Sequence, residues 1–142
     1  MMRRRVAALL AMILLAVAAG IAEPDKTAAP ETTPKPANGY VLVQTATRMG
    51  WLPLPEEGEV SYPLKQVLSD GTETENVIHL TPDGVYMEDS TCDNHDCVNQ
   101  GEVTLQNKAD RILANMIICL PNQVTLSLFT PEEVLELMQE AQ

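Results

Sequence analysis

Positive charge is scarce in this chain. Its 142 residues carry nine Lys and Arg against twenty Asp and Glu, a formal net charge of −11 at pH 7. After Arg3-Arg4-Arg5 no two basic residues adjoin, so no patch exists to neutralise phosphates, and nucleic acid is excluded as a partner. Aromatic residues make up only 4%, with one Trp, one Phe and three Tyr, which limits the core to a modest one. The motifs of the commoner enzyme classes are missing too. There is no P-loop, no Gly-x-Ser-x-Gly elbow and no His-Glu-x-x-His pair, and the expectation is a protein that is not an enzyme. The longest apolar run, Val6 to Ala19, falls short of the ~20 residues a membrane span needs.

That run has another reading. A basic start, Met1-Met2-Arg3-Arg4-Arg5, a short apolar stretch and the small residues Gly20 and Ala22 are the parts of a secretory leader. Residues 1–22 are therefore read as a signal peptide cut after Ala22. Removing it takes away three arginines and no acid, deepening the formal charge from −11 to −14. If the leader stays uncut, the domain is membrane-tethered rather than free. Residues 23–38 hold Pro24, Pro30, Pro34 and Pro36 and no large apolar side chain, a composition that cannot offset its ordering entropy. A disordered spacer is expected there, and an extracytoplasmic location for everything beyond it.

From Gly39 to Phe129 the pattern is that of short strands. Tyr40–Thr45 has strand composition, Arg48-Met49-Gly50 breaks the run, and Trp51–Pro55 must be extended because each proline turns its predecessor away from helix. Val60-Ser61-Tyr62 resumes, with Pro63 marking an edge, and Leu64–Ser69 reads as irregular before the Asp70-Gly71 turn. Val77–Leu80 and Val85–Glu88 flank Pro82-Asp83-Gly84 and predict a hairpin. His79 falls inside that strand and reads as a satisfied sheet residue. Gly101–Leu105 and Met116–Leu120 are further strands, with a helical turn or two, or else a wide loop, expected over Asn107–Asn115. In Gln123–Leu128 the alternation turns Val124, Leu126 and Leu128 inward. Trp51 and the tyrosines are expected to anchor the core, ahead of forming a ligand platform.

Residues 130–142 predict an amphipathic helix with a well-marked start. Thr130 can cap, Pro131 suits the first helical position, and Glu133 completes a capping box. Val134, Leu137, Met138 and Ala141 make an apolar stripe expected to dock on the domain, with binding a partner as the alternative. The sum is an all-β fold, a small β-barrel or sandwich of short, mostly antiparallel strands with a short C-terminal α-helix.

The cysteines are three, enough for one internal disulfide and one leftover thiol. Cys92, Cys97 and Cys119 are the disulfide candidates, and a structural bridge is the first reading for a secreted chain. A Cys92–Cys97 bridge would close a small loop worth on the order of 2 kcal/mol of chain entropy. The second reading sets Cys92, His95, Cys97 and Cys119 as four soft ligands for zinc or copper, in a metal- or redox-handling domain. The spacing is not that of a known finger, and neighbouring Asp93 and Asp96 would raise thiol pKa values rather than lower them.

Three pieces together resemble a known family: Pro82-Asp83-Gly84-Val85-Tyr86-Met87, Cys92-x4-Cys97-Val98-x2-Gly101-x-Val103, and Ile117-Ile118-Cys119-Leu120-Pro121-Asn122. Over roughly Tyr40 to Leu128 the chain is similar to the NusG domain II-like family of secreted bacterial proteins. The resemblance implies a small barrel-like β domain in a single extracytoplasmic copy, in Gram-positive bacteria of the Firmicutes type. This chain departs from the pattern at Asp93, where a proline often follows the first cysteine, and at Asn107–Asn115, which replaces a shorter Gly-bearing turn. The family's name reflects likeness to an insert of a transcription factor, and fold does not carry function. The functional expectation is a non-catalytic extracytoplasmic β domain, without cofactor, that binds a protein or cell-envelope partner.

Overall fold

The computed structural model describes residues 37–141, so the expected leader and nearly all of the expected spacer lie outside the described residues. Eight strands form two antiparallel sheets. The first contains β1 (Tyr40–Gln44), β2 (Met49–Pro53), β7 (Met116–Cys119) and β8 (Val124–Phe129), in the order β2-β1-β8-β7. The second contains β3 (Val60–Val67), β4 (Glu73–Leu80), β5 (Gly84–Ser90) and β6 (Val103–Thr104), in the order β3-β4-β5-β6. Of the two architectures expected, the structure takes the sandwich. The sheets keep separate edges and do not close into a barrel. No helix among the described residues is long and apolar enough to cross a membrane.

Alternation builds the core. Val124, Leu126 and Leu128 of β8 face inward and are fully buried, as their period of two dictates. They meet Val41 and Ile117 of their own sheet and Ile78, Leu80, Val85 and Met87 of the other. Burying each such side chain contributes about 1.5–3 kcal/mol, which makes this layer the main source of stability. The expected hairpin joins β4 and β5, closed by the Thr81 N–H to the Gly84 carbonyl at 3.0 Å. Gly84 serves space rather than dihedral freedom. A Cβ there would stand 2.7 Å from Glu102 Oε1 and 2.8 Å from the Val103 carbonyl oxygen.

One irregularity in that hairpin decides which side chains of β5 reach the interior. Ile78 pairs with Met87 but Val77 pairs with Asp89, so Glu88 is the extra residue of a β-bulge. Strict alternation after Met87 would send Asp89 into the core. The bulge shifts the phase by one, leaves Glu88 and Asp89 outside, and turns Ser90 inward opposite Asn76.

Other expectations gave way to tertiary contacts. Arg48 ends a tight turn, with the Thr45 N–H bonded to its carbonyl at 2.8 Å, and Met49-Gly50 already belongs to β2. Leu64 to Val67 is regular, because β3 runs unbroken through Pro63 as an edge strand that needs no outward donor there. Of the two readings of Asn107–Asn115 the structure takes the loop, as a chain of turns rather than a helix. Asn107 spends its side chain on the Thr104 N–H and the Glu102 carbonyl, Ala114 takes φ 49°, and Arg111 binds the carbonyls of Gln100, Ala114 and Met116. Trp51 and Tyr62 are not core anchors; each is 39% exposed. Tyr40 and Tyr86 are half-buried.

The C-terminal helix, α2 (Pro131–Glu140), starts as expected, with both hydrogen bonds of the capping box between Thr130 and Glu133. Lys108 also pairs with Glu133 and ties this first turn to the domain. Beyond that turn the helix stands free. No α2 residue is buried, and Leu135, Leu137 and Met138 are all exposed, so the apolar stripe does not dock along its length.

Candidate functional site

The bulge, a single helical turn and the β7–β8 hairpin converge on one point in the interior. Cys92 follows β5, Cys97 lies in α1 (Asp96–Asn99), and Cys119 ends β7. Their three sulfurs lie within 4.8 Å of one another, and the residues are 3%, 1% and 1% exposed. All three thiols are free, with the Cys92 and Cys97 sulfurs 3.7 Å apart. The expected bridge is therefore not shown here, although the candidates are adjacent.

Gln100 sets the geometry. Its side chain donates to the Ile118 carbonyl at 2.7 Å and accepts the Ile118 N–H at 2.8 Å, copying a strand's pairing on the open edge of β7. This clamp holds the turn carrying Cys97 above the residue preceding Cys119. His95 is not brought in. It caps α1 in the left-handed region (φ 51°), exposed to solvent, and it is outside the group of three sulfurs. Asp93 and Asp96 are exposed as well.

A buried polar triad that sequence reasoning missed borders the sulfurs. The Asn122 side chain, 3% exposed, donates to Asn76 Oδ1 at 2.9 Å and Ser90 Oγ at 3.1 Å. Asn76 donates to Ser90 Oγ at 3.0 Å, and the Cys92 N–H donates to the same oxygen at 3.2 Å. Three N–H groups thus compete for the two lone pairs of Ser90 Oγ, which also lies 3.6 Å from Cys119 Sγ, a contact in which either atom can be the donor. The signals were present. Asn76 sits at an inward phase of Thr74-Asn76-Ile78-Leu80, and Asn122 stands three residues after Cys119.

These neighbours separate the thiols electrostatically. Burial pushes the Cys97 thiol up to about 12, with Cys119 and Cys92 adding to the rise. Burial also acts to raise Cys119, but the polar surroundings of Asn122, Asn76 and Ser90 act the other way, and its thiol lies below the ordinary value. The acidic neighbours in sequence do not control the site, because they point outward.

A second feature lies at the opposite kind of place, between exposed edges. β2 ends one sheet and β3 ends the other, and a groove of about 970 Å³ opens between them. Met49, Trp51, Tyr62 and Val67 line it with exposed apolar surface, 70%, 39%, 39% and 67% open, and its floor reaches Ile78. Arg48 and Lys65 stand on its rim, two of only four basic residues in the described chain, the others being Lys108 and Arg111. Trp51 is braced edge-on against Phe129, ring centroids 5.6 Å apart.

His79 fits its expected role on the outer face of β4. Its ring stacks on Tyr86 and contacts Glu59 at 3.1 Å, Glu88 at 3.2 Å and Ser61 at 2.9 Å. The Ser61 hydroxyl donates to Glu88 at 2.6 Å, which with His79 holds that carboxyl below its usual range. The group fastens the edge strand β3 to β4 and β5.

A small two-sheet domain with one buried thiol cluster and one open edge groove is the class of protein that these features define. The NusG domain II family matches residues 8–130, and the chain belongs to that family. It is similar to a Listeria innocua protein solved both in a crystal and in solution. The crystal structure is 13% identical, with a TM-score of 0.51, over 66% of this chain and 97% of that one. The solution structure is also 13% identical, with a TM-score of 0.52, over 70% and 80%. A DUF1312 family protein from Enterococcus faecalis is 17% identical over 66% of this chain and 98% of its own, with a TM-score of 0.49. At such identities the Listeria likeness shows the fold alone. No curated protein matches the chain.

Proposed function

We propose that this chain is a non-catalytic extracytoplasmic binding domain that receives an extended segment of a protein partner in the groove between β2 and β3. The groove carries the reading. Edge strands present unpaired backbone groups that invite another chain, and native proteins cover or charge them when no partner is meant. The β7 edge is covered in that way by Gln100. The β3 edge carries Pro63 and Lys65, but with the β2 edge it flanks exposed Met49, Trp51, Tyr62 and Val67. An added strand would take affinity from main-chain hydrogen bonds and specificity from alternate side chains set into the groove. Aromatic side chains with a nearby arginine are the usual anchors of such contacts.

The location rests on the leader-like residues 1–22 and the Pro-rich residues 23–38, which would hold the domain away from the surface that secretes it. The net negative charge suits a soluble exterior domain and disfavours nucleic acid and anionic headgroups as ligands.

Site-directed photo-crosslinking in the cells that make the protein tests this. A photoreactive residue replacing Trp51 or Tyr62 should give one discrete protein adduct, absent when it replaces Asp110. Met49→Asp with Val67→Asp should abolish that adduct. An adduct from Asp110 of equal strength, or none from the groove positions, would overturn the proposal.

A further inference from the structure

The buried thiol cluster has features that a structural core does not require. Three cysteines among apolar neighbours would be satisfied by packing alone. Here Asn76, Ser90 and Asn122 are also buried, at 0%, 5% and 3% exposure, and the Asn76 and Asn122 side chains both donate to Ser90 Oγ, which itself lies 3.6 Å from Cys119 Sγ. A buried hydroxyl beside a sulfur makes its strongest hydrogen bond there when that sulfur is a thiolate. Such outer partners accompany metal-bound thiolates, whose charge and orientation they set.

From this arrangement we propose that Cys92, Cys97 and Cys119 form a three-thiolate site for one copper(I) ion. A metal centred among three sulfurs at about 2.3 Å requires them about 4.0 Å apart. The Cys92 and Cys97 sulfurs are 3.7 Å apart and no pair exceeds 4.8 Å, so small side-chain adjustments close the triangle. Zinc in a structural site takes four ligands. Among the described residues no histidine or carboxylate joins the three sulfurs, and His95, Asp93 and Asp96 face solvent. Three soft donors in a buried site suit monovalent copper, which accepts low coordination and prefers thiolates. Binding releases three thiol protons for one Cu⁺ and leaves a net charge of −2 on the centre. The Ser90 hydroxyl, 3.6 Å from Cys119 Sγ, is placed to stabilise that charge. No electron moves, because the ion enters as copper(I).

The test uses the full chain, reduced and kept under anaerobic conditions, titrated with copper(I) from its acetonitrile complex against a competing chelator. The expected result is one copper(I) per chain, with sulfur-only coordination by three atoms in X-ray absorption. His95→Ala should leave affinity unchanged. Each Cys→Ser variant should weaken it at least tenfold, and Ser90→Ala severalfold, with circular dichroism reporting whether the variants fold. If Cys→Ser variants do not fold, the sulfur count in the wild-type absorption spectrum decides. No retained copper, a nitrogen ligand lost in His95→Ala, tighter four-coordinate binding of zinc, or a disulfide that persists in protein isolated from its own compartment would each overturn the proposal.

Discussion

Replacing Asn122 with alanine removes a side chain that reaches from the β7–β8 hairpin of one sheet to β4 and β5 of the other. Its amide donates to Asn76 Oδ1 at 2.9 Å and to Ser90 Oγ at 3.1 Å. Ser90 keeps other donors, but Asn76 Oδ1 loses the partner assigned to it in a fully buried position. An acceptor stranded in that way costs about 1–3 kcal/mol. The expected loss is about 2 kcal/mol. With a urea slope of about 1.5 kcal/mol/M, the unfolding midpoint should fall by about 1.3 M. Asn76→Ala should cost a similar amount, and the double variant should cost less than the sum, with a coupling of about 1 kcal/mol because both changes break one network. Equilibrium urea unfolding of the four proteins, followed by tryptophan fluorescence and circular dichroism together, supplies the numbers. A midpoint shift for Asn122→Ala below about 0.3 M, the range of an ordinary surface change, would refute the view that this triad bridges the sheets.

Gly84→Ala should destabilise by about 1–3 kcal/mol, since the new methyl meets the Val103 backbone, which cannot swing aside as the Glu102 side chain can; calorimetry reads the shift, and a neutral result would contradict the packing. Thr130→Ala removes the cap of α2 and should cost about 1 kcal/mol of helix stability. Because only the first turn is held, the signature is a drop in helical circular dichroism with little change in the β-sheet transition. Glu133 supplies a pH test. Burial acts to raise its carboxyl, but the hydrogen bond and charge of Lys108 and the Thr130 backbone N–H hold it below the ordinary value. A depressed folded value means stability present above the unfolded pKa and lost as pH falls through the folded one. The difference between wild type and Lys108→Met should be under about 1 kcal/mol at neutral pH, given the exposure of Glu133, and vanish in acid below the carboxylate range. A difference that persists in acid would contradict the pairing.

Much of the fold is local and was legible for that reason. The alternation of Val124, Leu126 and Leu128, the Pro82-Asp83-Gly84 turn and the Thr130–Glu133 box each depend on residues within a few positions. Cys92, Cys97 and Cys119 were legible as a group because nothing else in the chain carries their chemistry. What stayed hidden depends on long-range register. The bulge at Glu88 decides that Ser90, not Asp89, faces the thiols, and two adjacent acids after Met87 are an ambiguous sign of it. His95 looked like a ligand because it lies between two cysteines, but the left-handed backbone at that position turns it out to solvent. Asn107 looked like a helix cap, yet Thr104 and Glu102 take its side chain. Trp51 and Tyr62 looked like core residues on composition alone. Their exposure follows from which strands end the sheets, and strand order cannot be read from spacing. The groove has no sequence signature at all, because its walls come from two edges that meet only in the folded domain.

The central claim is that the β2–β3 groove is where a partner segment docks, and amide chemical shifts test it most directly. A peptide from the protein crosslinked at Trp51 would be titrated into the isotope-labelled full chain. The account predicts saturable shifts on Met49–Trp51 and Tyr62–Val67, with slowed hydrogen exchange at outward amides of β3. Shifts confined to the exposed face of α2 or to the Thr91–Asn99 loop, with the β2 and β3 edges unmoved, would contradict it.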